Sequence, residues 1–100
     1  MTSRIPVDLE KVRTFCRKWR LKELCLFGAV LTDDFQPDSE VDVLVELLPE
    51  HGLAFYNWLD MAEELKHIFG REVNLVAKSG LKNPARRRKI LRDAEVIYAA

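Results

Sequence analysis

One hundred residues suffice for one modest core and are too few for two independent ones, so residues 1–100 are expected to form a single domain. The 16 basic and 16 acidic residues cancel, which argues against a protein that holds nucleic acid by bulk charge and leaves only local electrostatics. No apolar run approaches the roughly 20 residues a membrane helix needs, and the opening MTSRIPVDLE lacks a signal peptide's apolar stretch, so a cytoplasmic protein without membrane contact is expected.

Between Val7 and Trp19, the apolar residues Leu9, Val12, Phe15, Cys16 and Trp19 recur at intervals of three and four, which predicts an amphipathic helix with Pro6 and Asp8 suited to its start. ELCLF, residues 23–27, is short, apolar and closed by Gly28, as a buried strand would be; a helical turn over 29–33 and the breaker-rich DDFQPDS follow. EVDVLVEL then alternates. Val41, Val43, Val45 and Leu47 fall on one face, with Glu40, Asp42, Leu44 and Glu46 on the other.

A second helix is predicted from about Leu53 to Phe69, with Leu53, Tyr56, Leu59, Ala62, Leu65 and Ile68 inward and Gly70 as its stop. Phe55, Trp58 and Met61 make another apolar stripe on it, readable either as deeper core or as a protein-binding face. REVNLVA, residues 71–77, reads as a strand, with Asn74 opposite in facing to Val73 and Leu75. Pro84 opens a last helix to about Asp93, and EVIYAA is either a short strand or a docked extension. The expected architecture is α/β, a small mixed sheet of three or four strands flanked by helices.

Cys16 and Cys25 have neither CxxC spacing nor neighbouring histidines and are expected as buried free thiols, while the isolated His51 and His67 are assigned no metal or catalytic role. The basic run Arg86, Arg87, Arg88, Lys89 reads first as a solvated helix face and alternatively as a contact for nucleotide phosphates, RNA or an acidic partner. Lacking interleaved aromatics and a net positive charge, it argues little for nucleic-acid binding.

The chemistry concentrates in LFGAVLTDDFQPDSEVDVLVE, residues 26–46. Glu40 and Asp42 project from one strand face at a spacing that lets them share a divalent cation such as magnesium, which takes oxygen ligands and leaves positions for substrate phosphates. A glycine turn at Gly28 lets backbone amides approach those phosphates without a Cβ in the way. These parts suit phosphoryl or nucleotidyl transfer; alternate carboxylates on a solvated strand are the plain structural reading.

LFGA, then PDSEVDVLVE from Pro37, REVNLV from Arg71 and LKNPARRRKILRDA resemble, in order and spacing, the minimal nucleotidyltransferases of the DNA polymerase beta superfamily, often paired with a HEPN-domain toxin. That resemblance implies transfer of a nucleotide, AMP from ATP or another NTP, to a protein or RNA acceptor with magnesium, with Glu40, Asp42 and Asn74 at the catalytic positions, Glu40 and Asp42 as metal ligands, Asn74 as a neutral third ligand, and Gly28 and Ala29 at the nucleotide. It also exposes departures. Ala29 stands where the family has a serine that holds phosphate, Glu40 stands for the first aspartate, and Asn74 stands for the third carboxylate, the base for the attacking hydroxyl. An asparagine cannot take that proton. Val30, Thr32 and Asp33 also differ from the family's frequent basic residues and glycine. Activity is therefore expected to be weak or lost. The alternative is a non-catalytic, antitoxin-like subunit that neutralises a HEPN-type protein by binding it, with Phe55, Trp58 and Met61 as the interface; a homo-oligomer is the other partner expectation.

Overall fold

A computed structural model describes residues 5–49 and 52–100; His51 and the side chain of Phe55 lie outside the described residues. Helix α1 spans Leu9–Lys18, and the Asp8 carboxylate caps it by accepting from the Lys11 N–H at 3.2 Å. Glu10 sits in its first turn and Arg17 and Lys18 in its last, each matched to the helix dipole. Strand β1 (Leu21–Phe27) runs into a 3-10 turn, Gly28–Leu31, and strand β2 (Val41–Leu47) follows the loop. Helix α2 (Phe55–Phe69) ends at Gly70, whose left-handed φ of 70° and N–H to Lys66 carbonyl bond of 2.7 Å terminate it as expected. Strand β3 (Val73–Ala77), helix α3 (Pro84–Asp93) and strand β4 (Glu95–Ala99) complete the order. EVIYAA thus resolves into a strand.

The sheet order is β3-β2-β1-β4, with β1 antiparallel to both β2 and β4 and β2 parallel to β3. A parallel neighbour needs a crossover, and α2 supplies it. Alternation along β2 sorts the layers. Val41, Val43 and Val45 are fully buried in one cluster with Val12, Phe15 and Cys16 of α1 and Met61 and Leu65 of α2. On the other face Leu44, Cys25 and Phe27 pack with Leu81, Val76, Ile90 and Ala94 beneath α3. The Glu64 carboxylate accepts from Trp19 Nε1 and Lys18 Nζ, both at 2.9 Å, and so ties α1 to α2.

The inward face of α2 is the expected one only in part: Leu65 is fully buried and Leu53 and Ile68 pack against the core. Tyr56 and Leu59 are 68% and 59% exposed, whereas Met61 is fully buried and Trp58 packs against the core. A uniform spacing of three drifts by about 60° per step around a helix of 3.6 residues per turn, so the stripe from Leu53 to Ile68 cannot stay on one face. Trp58, Met61, Leu65 and Ile68, spaced three, four and three, do. In the second stripe Met61 is core, and Trp58 is half-buried with one side packed against the core. Met61→Ala should therefore cost about 2–5 kcal/mol, while Leu59→Ala should stay within ~0.5 kcal/mol. Thermal unfolding of the two variants checks this, and equal losses would contradict the assignment.

Candidate functional site

Three elements converge at one end of the α3-covered sheet face. Register sets Phe27 of β1 and Asn74 of β3 on either side of Asp42 in β2. The next residue after Phe27 is Gly28, whose φ of 75° lies in the left-handed region, and a Cβ built there would run into the Asp42 carboxylate. Glycine is therefore required twice over, by conformation and by space.

Asn74 and Asp42 do not merely share a face. Asn74 Nδ2 donates to Asp42 Oδ1 at 3.1 Å, between half-buried side chains. An ionised carboxylate only accepts, so the amide must present its N–H groups to Asp42 rather than its carbonyl. Glu40 lies one residue ahead of β2 and is exposed. The loop before it is held from β3's entrance: Arg71 donates to the Ser39 carbonyl at 3.3 Å and stacks over the Phe35 ring at 4.6 Å, while the Gln36 N–H donates to Ser39 Oγ at 2.9 Å. Neither Arg71 nor Phe35 was a candidate from sequence, because only the fold brings 71 beside 35–39.

A cavity of about 360 Å³ opens at the glycine turn, lined by Phe27, Gly28, Ala29, Leu31, Thr32 and Asp34 on one side and by Lys89, Ile90 and Asp93 of α3 on the other. Ala29 offers no hydroxyl there. Val30 is fully buried in the main core, and Thr32 turns its hydroxyl back onto the Ala29 carbonyl at 3.0 Å, so neither reaches outward as a phosphate donor. The basic run divides by role. Arg87 donates to the Lys78 carbonyl at 2.9 Å and docks α3, Arg86 and Arg88 are exposed, and Lys89 reaches the cavity.

Farther along the same face, Lys78 Nζ pairs with Glu46 at 3.2 Å and approaches Glu23 at 3.9 Å, and Cys25 Sγ donates to Glu23 at 3.3 Å. Burial pushes the Cys25 thiol up to about 12, reinforced by Glu23, and burial alone does the same for Cys16. Both cysteines are free and buried, as expected. His67 is exposed, with its nearest carboxylate, Glu63, at 3.9 Å.

A magnesium site asks for converging oxygen ligands. Among the described residues no three His, Cys, Asp or Glu side chains come together in that way. Asp42 is half engaged by an amide that shows N–H to the space a cation would share, and Glu40 is out in solvent. The side chains present thus offer one half-engaged carboxylate, Asp42, and one exposed carboxylate, Glu40, and no pre-formed three-ligand cluster among the described residues.

The family described as "Nucleotidyltransferase domain" matches residues 9–97. A protein adenylyltransferase, MntA, of Thermococcus cleftensis is 31% identical over 96 residues, spanning 91% of this chain and 92% of its own. Among solved structures, a toxin–antitoxin crystallised with AMP-PNP superposes with a TM-score of 0.72 at 16% identity, over 94% of this chain and 75% of that one. A Shewanella oneidensis complex of a tri-AMPylated HEPN toxin with its MNT antitoxin does so with a TM-score of 0.64 at 15% identity, over 92% and 70%. At these identities the structural likeness is one of fold.

Proposed function

Because the chain belongs to the nucleotidyltransferase domain family, we propose that it is a member that binds ATP at the Gly28 turn and transfers AMP to a protein acceptor weakly or not at all. The observation that carries this reading is the Asn74–Asp42 hydrogen bond of 3.1 Å. It puts a neutral donor where transfer needs a carboxylate to take the acceptor's proton, and general-base catalysis is worth about 100 to 10,000-fold in rate. Ala29 supplies no hydroxyl to the phosphates, and one lost transition-state donor typically costs roughly 100 to 1000-fold. Family chemistry uses magnesium to neutralise the phosphates, with Glu40 and Asp42 the residues that would hold it; the amide facing Asp42 weighs against such binding here. Gly28 admits the phosphate chain to the backbone. Asp42 orients Asn74, and Arg71 holds the loop that delivers Glu40.

A second role, binding a HEPN-type protein, is supported by two exposed apolar side chains on the otherwise charged outer face of α2. Tyr56 and Leu59, more than half exposed, take the place of the buried Met61 as the candidate contact, in line with the toxin–antitoxin relatives of the same fold.

One preparation tests both roles: the chain coexpressed with a HEPN-type protein, assayed for complex formation and for AMP transferred from labelled ATP. A stable complex with little transfer is expected. Robust magnesium-dependent transfer that Asp42→Ala abolishes would overturn the reading of weak catalysis, and failure to co-purify would remove the partner.

A further inference from the structure

The cavity at the Gly28 turn poses a charge problem. A nucleoside triphosphate brings several negative charges, and Asp34, Asp42 and Asp93 stand in or beside the cavity. Without a countercharge the phosphates would be repelled. In most phosphoryl chemistry a divalent cation removes that repulsion, but here the Asn74 amide directs N–H groups at Asp42 and Glu40 is in solvent.

A different cation is already in place. Lys89 lines the cavity opposite Gly28 and Ala29, and among the described residues no hydrogen bond or ion pair engages its ammonium. Of the neighbouring cations, Arg87 is committed to the Lys78 carbonyl, Lys78 to Glu46 and Arg92 to Asp93 at 3.2 Å, while Arg86 and Arg88 are exposed and do not line the cavity. The pairing with Arg92 also partly neutralises Asp93. A lysine ammonium is a mobile point charge suited to phosphate oxygens.

We propose that this chain holds the phosphate chain of a nucleotide through Lys89 and the Gly28 turn, without a divalent cation. The inference rests on the nucleotide-binding reading above and adds the residue and the charge that make it possible. It also accounts for the survival of a nucleotide cavity beside a site that has lost its third carboxylate.

Calorimetric titration of the full chain with ATP, in excess EDTA and in excess magnesium chloride, tests it. The expected result is saturable binding in both buffers with affinities within about threefold of each other, weakening steadily with added sodium chloride. Lys89→Ala should weaken binding about tenfold or more, and Lys89→Arg should keep most of it. Because Lys89 is exposed, neither change should disturb thermal unfolding, which is measured alongside. Binding seen only with magnesium, or binding indifferent to Lys89→Ala, overturns the inference and leaves the nucleotide reading standing. No saturation in either buffer removes both.

Discussion

The variant combining Asn74→Asp with Ala29→Ser and Glu40→Asp is expected to raise AMP transfer by at least about 100-fold in the presence of magnesium. The parallel register of β2 and β3 sets residue 74 directly opposite Asp42, so a carboxylate there would stand about where the amide now bonds at 3.1 Å. Two ionised carboxylates at such a distance repel unless a cation lies between them. Asn74→Asp alone should therefore lower the unfolding temperature in EDTA and regain it when magnesium is added, a response the natural chain should not give. A shift of a few degrees is enough to read, since about 1 kcal/mol moves Tm by roughly 4–8 °C in a domain of this size. If Asn74→Asp were as stable in EDTA as the natural chain, the two side chains would not be close enough to form the site described. If the triple variant folded and bound magnesium yet transferred nothing, the loss of catalysis would lie elsewhere.

Gly28→Ala should be the most damaging conservative change at the site. An L-residue at a φ of 75° pays about 1–2 kcal/mol, and the added Cβ meets the Asp42 carboxylate, whose strand is clamped between β1 and β3. Asp42 must swing away, and its bond to Asn74 goes with it. Gly70→Ala is the matched control: its φ is 70°, but nothing lies within 4 Å of the new Cβ, so only the same backbone penalty of about 1–2 kcal/mol applies. Gly28→Ala is expected to lose more stability than this control and to weaken ATP binding at least about tenfold. Equal losses for the two variants, with ATP binding intact, would show that Gly28 is a turn residue and nothing more.

Much of this molecule was readable residue by residue. Period-two alternation in EVDVLVEL set the two faces of β2, and Asp8, Gly70 and Pro84 marked helix ends through chemistry that acts within a few residues. The motif order from Phe27 to Asp93 carried the family, and the departures at Ala29, Glu40 and Asn74 were visible as substitutions. On α2, Leu65 and Ile68 face the core as expected, while Tyr56 and Leu59 do not, because a uniform spacing of three drifts off one helix face and the helix is apolar on more than one side. Only the position of β2 and α1 chose Met61 over Leu59.

What the sequence alone determined, then, is which residue types are present at the site and which are missing, because chemical capacity belongs to the side chain itself. What the tertiary structure decided is which of them act on one another. Asn74 reaches Asp42 across 32 positions only because the α2 crossover sets a parallel register. Within one basic run, the helical turn of α3 sends Arg87 to a backbone carbonyl and Lys89 to the cavity. Contacts of that kind depend on how elements pack in space, and no spacing along the chain encodes them.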